Sequence, residues 1–270
     1  MTEEQRIFEG KLFASEVDEL VARKLKAHRL SQEFSNLYKE DAQARQEILE
    51  KLVESVGEGT FMLGPIRFHY GCHTRIGAHC FMNFNFTVQD DARVTIGDYC
   101  NFGPNVTIVT PMHPMQGLQR RGIRCADGEE RFLCYAKPVV IGNDCWFGAN
   151  VVVCPGVTIG DNCVIGAGSV VPRDIPANTF AAGAPARGFR PITEQDDIAK
   201  LFPELRQGRF SANIARSICS KSLVWGYSAM SGWCRKAAGA FSAFREMAAS
   251  MQPLSRISAM FSAEKSAVYT

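Results

Sequence analysis

The sequence predicts a mainly β protein. Its centre is a parallel β-helix of hexapeptide repeats, with a helical segment before it and an extension able to form helices after it. Three observations carry this prediction. From residue 135 an aliphatic or aromatic residue recurs at every sixth position: Tyr135, Ile141, Phe147, Val153, Ile159, Ile165 and Val171. A second set of small or apolar residues keeps the same period, four residues past the rungs: Cys145, Val151, Val157, Cys163, Ser169 and Ile175. An earlier ladder runs Tyr70, Ile76, Met82, Val88, slips by two residues at Asp90-Asp91, and resumes at Ile96, Phe102 and Ile108. Neither a helix nor an ordinary strand repeats every six residues, whereas a β-helix with three short strands per coil does.

Residues 1–59 read as the helical segment. Ser15 to Asp18 supply start signals ahead of ELVARKLKAHRL. The stretch from Glu33 to Val56 is rich in helix formers, and Gly57 and Gly59 stop it. Residues 60–192 form the repeat domain. Rungs are expected to point inward, and the Gly that follows most of them is expected to make the corner. After Ile108 the pattern fails for about 25 residues, the mark of a functional loop thrown out from one corner. That loop opens with Pro111-Met112-His113-Pro114. Pro172 and Pro176 end the ladder, and a Gly/Pro-punctuated exit follows. Residues 193–270 differ in composition, with Lys and Arg exceeding Asp and Glu and with helix-compatible runs rich in Ala, Ser, Phe and Met. Poorly ordered or loosely docked helices and a basic contact with a membrane or partner are both open there.

At 270 residues the chain can bury a full core, and a net charge of +2 creates no strong field for nucleic acid or membranes. The start lacks an apolar signal region and no run of apolar residues is long enough to span a bilayer, so a cytoplasmic protein is expected. The ten cysteines do not read as a disulfide set. Cys80, Cys100, Cys145 and Cys163 share the frame Ile-Gly-x-x-Cys, which makes them small inward residues of a reduced core. No Cys or His spacing resembles a zinc site, and no metal is expected.

Several segments resemble the maltose/galactoside O-acetyltransferases, the sugar-acetylating branch of the hexapeptide-repeat transferases, which includes nodulation-factor acetyltransferases. The resemblance spans residues 6–192. It rests on Gly10-Lys11-Leu12-Phe13, NFNFTVQDDARVTIGD, GPNVTIVTPMHP, KPVVIGNDCWFGANVVVCPGVTIGDNCVIGAGSVV and DIPANTFAAGAPAR, in that order. It implies a left-handed coil, a homotrimer with active sites between subunits, acetyl-CoA as co-substrate, and a hydroxylated acceptor, a sugar above all.

His113 is the candidate general base. It follows a ladder strand and opens the expelled loop, and the family uses its matching His to take the acceptor's proton in direct transfer. Asn83 and Asp91 match acceptor-binding residues, and Asp91 sits at the slip. His69 stands where the family has a small polar or acidic acceptor contact, and Phe81 lacks a hydroxyl common there, so an acceptor other than maltose or a galactoside is open. On the acetyl-CoA side the resemblance implies Ala149 and Ala167 along the pantetheine arm and Trp146 as an outward-facing wall. Arg173, Arg187 and Arg190 are candidates for the nucleotide phosphates. Where many relatives carry a carboxylate able to orient the base, this chain has Cys134; a backbone carbonyl, Glu129 or Glu130 are the other candidates. A zinc carbonic anhydrase on the same coil would need three His ligands, and the five histidines offer no matching triad. Two alternatives stay open: a catalytically impaired assembly or regulatory protein, and a transferase for a non-sugar acceptor.

Overall fold

The computed structural model describes residues 1–37 and 41–203. The helices and basic contact surface expected in the C-terminal extension lie outside these residues, apart from two short 3-10 turns at Glu194–Asp196 and Ile198–Lys200.

Three parallel faces form a β-solenoid. Face 1 stacks Ser55–Val56, Thr74–Ile76, Val94–Ile96, Val139–Ile141 and Thr158–Ile159. Face 2 stacks Phe61–Met62, Phe81–Met82, Asn101–Phe102, Trp146–Phe147, Val164–Ile165 and Thr179–Gly183. Face 3 stacks Ile66–Phe68, Phe86–Gln89, Thr107–Val109, Val152–Val153 and Val170–Val171. Each coil visits the faces in that order. Predicted rungs pair with predicted rungs: Ile76 with Ile96, Met82 with Phe102, Val88 with Ile108. Ile141, Phe147, Val153, Ile159, Ile165 and Val171 are no more than 1% exposed. Phe102 meets Phe86 edge to face at 5.1 Å and stacks on Phe147 at 4.6 Å between ring centroids. Each such buried side chain contributes about 1.5–3 kcal/mol.

The four Ile-Gly-x-x-Cys thiols are free, buried and aligned. Each donates to a backbone carbonyl of the next coil: Cys80 to Gly97 (3.1 Å), Cys100 to Gly142 (3.1 Å), Cys145 to Gly160 (3.2 Å) and Cys163 to Pro176 (3.1 Å). The sulfur fills the corner and satisfies a carbonyl that the strands leave unpaired.

The rung glycines have a different role from the one expected. The left-handed corner conformation falls three residues past the rung, on His79, Asn85, Tyr99, Asn105, Asp144, Asn150 and Asn162, with φ between 54° and 61°. Asn and Asp tolerate this region best among residues with a Cβ. Asn85, Asn105 and Asn150 also hydrogen-bond in a ladder at 2.9 and 3.0 Å. The glycines are close-approach points between coils. A Cβ on Gly97 would lie 2.7 Å from the Gly142 carbonyl carbon, and one on Gly148 would lie 2.5 Å from the Ala167 nitrogen.

Two ladder residues are not rungs. Tyr135 is half-buried in the strand Leu133–Ala136, which pairs antiparallel with Pro111–Met112 and Phe13–Ala14. The coil resumes only at Val139, because the returning loop forms a ribbon whose alternation mimics a rung. Tyr70 is buried in a satellite cluster with Ile7, Phe13, Leu20, Ala92, Cys134 and Ala136, outside the coil.

The N-terminal segment also departs from expectation. It contains α1 (Glu3–Phe8), α2 (Asp18–Asn36) and α3 (Ala42–Leu52), and the first coil begins at Ser55, inside the span assigned to helix. Residues 33–56 are not one helix: α2 ends at Asn36 and α3 starts at Ala42. These helices close the solenoid's open end. Ser31 and Ser35, one turn apart on α2, accept the N–H groups of Phe68 (3.3 Å) and Ile66 (3.1 Å). An unpaired strand edge is thereby covered. Arg45 of α3 donates to the carbonyls of Leu37 and Met62 while lying 4.1 Å over the Phe34 ring. At the other end Ala186–Pro191 folds back antiparallel on Thr179–Gly183.

Candidate active site

Counting coils places the candidate residues at the prism's corners. His69, Asp91 and His113 each follow a face 3 strand and precede face 1, so they share one corner, called corner I. Asn83, Ala149 and Ala167 each follow a face 2 strand and precede face 3, at corner II. Trp146 lies on face 2, 57% exposed and pointing outward as expected. Within one chain His113 and the Ala149–Ala167 row lie at different corners.

Corner I is a connected cluster. The two-residue slip makes a turn whose carbonyls, Asp90 O and Asp91 O, both meet His73 Nδ1, at 2.9 and 2.8 Å. Carbonyl oxygens only accept, so Nδ1 carries a proton. His73 Nε2 lies 3.1 Å from the Glu4 carboxylate of α1, so it also donates. His73 is therefore an imidazolium, held between the rings of Tyr70 and Phe8 at 5.0 and 4.9 Å. Burial pulls its pKa down, but Cys72, Glu4 and Asp90 outweigh that and raise it to about 9. Asp90, fully buried, accepts from Tyr70 N and Thr74 Oγ1, both at 2.8 Å.

This scaffold presents Asp91. Burial, reinforced by Asp90, pushes its pKa up to about 6. Its Oδ2 and the Tyr70 hydroxyl are buried side-chain atoms with no hydrogen-bond partner among the described residues. Such orphans cost about 1–3 kcal/mol each unless a ligand or water satisfies them. His69 is half-buried, and burial with nearby Lys24 lowers its pKa to about 4, so the ring is neutral near pH 7. Lys24 donates to Ser15 O at 2.9 Å and lies 3.4 Å from Glu16, at the edge of the same corner. Sequence reasoning missed His73, Lys24 and Tyr70 as site residues: Tyr70 read as a rung, and only the fold brings Lys24 of α2 and Glu4, the partner of His73, to corner I.

His113 is exposed at the start of the loop. Its Nδ1 lies 3.4 Å from Cys134 Sγ, so the thiol, rather than Glu129 or Glu130, stands beside that nitrogen. Cys134 is buried on the antiparallel ribbon, where burial raises its pKa and keeps it a thiol near pH 7.

At corner II, Asn83 Oδ1 accepts from Phe84 N at 2.8 Å, leaving its Nδ2 hydrogens for a ligand. Ala149 and Ala167 occupy successive rows, and Gly168 N donates to Ala149 O across them. The arginines separate. Arg173 lies at corner I, away from the alanines. Arg190 is gripped in a two-pronged pair by Asp196 at 2.6 and 2.8 Å. Arg187 is exposed on the terminal strand and makes no salt bridge with a described residue. Among the described residues no group of three or more His, Cys, Asp or Glu side chains is placed to hold a metal ion. No described helix is long and apolar enough to cross a membrane.

Comparison with known proteins agrees with this architecture. Residues 138–173 match the bacterial transferase hexapeptide family (six repeats), and residues 6–57 match the maltose acetyltransferase hexapeptide capping motif. A galactoside O-acetyltransferase of Escherichia coli K12 is 40% identical over 192 residues, covering 71% of this chain and 90% of that protein. The chain belongs to the hexapeptide-repeat O-acetyltransferases. Among solved structures, a galactoside acetyltransferase in complex with coenzyme A superimposes with a TM-score of 0.67 at 39% identity, over 73% of this chain and 94% of that one. A hexapeptide-repeat acetyltransferase of Vibrio cholerae complexed with acetyl coenzyme A superimposes with a TM-score of 0.63 at 32% identity, over 72% and 100%. The capping match coincides with the helices that close the solenoid, so this O-acetyltransferase keeps both its repeats and its end cap.

Proposed function

We propose that this acetyltransferase moves the acetyl group of acetyl-CoA directly to a hydroxyl of a sugar-like acceptor, with His113 as general base, in a site shared between two copies of a homotrimer. The observation that carries the reading is the division of candidate residues between corners. His113, Asp91 and His69 sit at corner I, whereas Asn83 and the Ala149–Ala167 track sit at corner II. A cyclic head-to-tail arrangement of three prisms brings corner I of one copy against corner II of the next. The relatives with bound coenzyme A or acetyl coenzyme A support the donor, and the galactoside O-acetyltransferases support the acceptor class.

The chemistry follows from the groups present. The acceptor hydroxyl gives its proton to His113 Nε2 as its oxygen attacks the thioester carbonyl. The C–S bond then breaks, and the departing CoA thiolate takes the proton back from the imidazolium. Asp91 accepts from an acceptor hydroxyl, the role that the family resemblance gives it. Neutral His69 adds a hydrogen-bonding ring without charge. Ala149 and Ala167 leave room for the pantetheine arm, Trp146 walls it, and Arg187 meets a phosphate. Arg173, at corner I, would serve only through the neighbouring copy, and Arg190 would first have to leave Asp196. Much of the rate comes from holding both substrates together.

The test is acetyl-CoA turnover, read as CoA release, over a panel of sugars, amino sugars and other alcohols. His113→Ala should lower turnover on the best acceptor by about 10²–10⁴-fold with an unchanged circular dichroism spectrum. A folded variant with near-normal turnover would remove His113 from the mechanism.

A further inference from the structure

We propose that Cys134 is the positioning residue of the base: its thiol sulfur accepts the Nδ1–H of His113 and so holds the tautomer whose Nε2 lone pair faces the acceptor. The inference rests on the reading of His113 as general base and adds the means by which the ring is held.

Among the described residues Cys134 is the side chain placed to hydrogen-bond the ring. Sγ lies 3.4 Å from Nδ1, within hydrogen-bond reach for sulfur. Cys134 is itself immobile. It is 7% exposed and packed with Phe13, Leu20, Tyr70, Ala92 and Ala136. Its strand is pinned on both sides, by Phe13–Ala14 with Cys134 opposite Phe13, and by Pro111–Met112 with Tyr135 opposite Met112. The second of these strands leads directly into His113. Base and thiol therefore hang from adjacent antiparallel strands, and their separation is set by backbone pairing.

A thiol at this position differs from a carboxylate in a measurable way. Sulfur is a weak acceptor and carries no charge when protonated. It can hold the neutral ring in the Nδ1–H tautomer, but it gives little stabilisation to the imidazolium formed when the base takes the acceptor's proton. A carboxylate would supply that stabilisation and raise the base's pKa. The groups facing the thiol keep it protonated. Asp91 from the slip and Glu16 ahead of α2 oppose a thiolate; Lys24 of α2 and the Ser15 hydroxyl favour one, and burial with the two carboxylates prevails. No proton need pass to Cys134, so its role is orientation alone.

Three variants in the full-length enzyme test the proposal, each followed as kcat and KM against pH, with thermal unfolding confirming the fold. Cys134→Val keeps the volume and removes the acceptor. It should lower kcat at least tenfold while leaving KM for acetyl-CoA unchanged. Cys134→Ser restores an acceptor and should recover most of that loss. Cys134→Asp should move the acidic limb of kcat/KM upward by about one pH unit or more. A folded Cys134→Val enzyme with wild-type kcat, or a Cys134→Asp enzyme whose acidic limb does not move, overturns the proposal. His113→Ala measured in parallel separates the two ideas. If it stays active, the base assignment itself falls. If it is inactive while Cys134→Val is normal, only the positioning role falls.

Discussion

Replacing His73 with Gln removes a buried charge from the turn that presents Asp91, and its cost follows from the geometry. His73 donates from Nδ1 to two backbone carbonyls and from Nε2 to Glu4. Its pKa is raised to about 9 from 6.5, which at about 1.4 kcal/mol per tenfold change in proton affinity stabilises the fold by about 3 kcal/mol. A raised folded pKa means that this stabilisation is complete below about pH 6.5 and disappears as the pH rises through about 9. Gln does not titrate, so His73→Gln should lose the whole term at pH 6 and nearly none at pH 10. For a domain of this size the loss at pH 6 corresponds to about 6–12 °C in Tm. Thermal unfolding of both proteins by circular dichroism, at pH 6, 8 and 10, reads the difference directly. Because the same contacts hold the Asp90-Asp91 turn, the acceptor KM of the variant should rise at pH 7 while that for acetyl-CoA stays put. A Tm difference that is equal at pH 6 and pH 10 would refute the argument, since it would show that His73 packs without carrying charge.

Two further substitutions probe the solenoid and the donor side. Gly97→Ala places a methyl group 2.7 Å from the Gly142 carbonyl carbon of the next coil and should destabilise by about 2–3 kcal/mol, measured by urea unfolding; stability within 0.5 kcal/mol of wild type would contradict the close-approach role. Arg187→Ala should raise the KM for acetyl-CoA several-fold without changing kcat at saturation, and an unaltered KM would take Arg187 out of the phosphate site.

Much of the coil was legible because a rung must face inward once every six residues, whatever the residue type. The rungs Ile141, Phe147, Val153, Ile159, Ile165 and Val171 are all buried as the period requires. The frame that recast Cys80, Cys100, Cys145 and Cys163 as core filling also held, since each sulfur lies inside and bonds the next coil. The corners were misread. Gly after the rung suggested turn flexibility, yet the left-handed residues are Asn, Asp, His and Tyr two positions later. The recurrence of Asn at positions 85, 105, 150 and 162 was the available signal. Tyr135 misled because a ribbon strand and a coil strand alternate alike over a few residues. The site was legible by residue and illegible by arrangement. His113, Asp91 and His69 were named, but their grouping at one corner, apart from Asn83, emerges only when coils are counted. The contacts of His73 with Glu4 and of Cys134 with His113 join segments far apart in sequence, which no local pattern encodes.

The most direct test of a site shared between copies is complementation between two inactive variants. His113→Ala damages corner I and Asn83→Ala damages corner II. Co-expressed in equal amounts, they form mixed oligomers in which some interfaces join two intact corners. Random mixing around a ring makes about one site in four complete. The account predicts that the mixed enzyme regains about a quarter of wild-type turnover while each variant alone stays near background. Mixed oligomers that remain as inactive as their parents would place the whole site within one chain and contradict it.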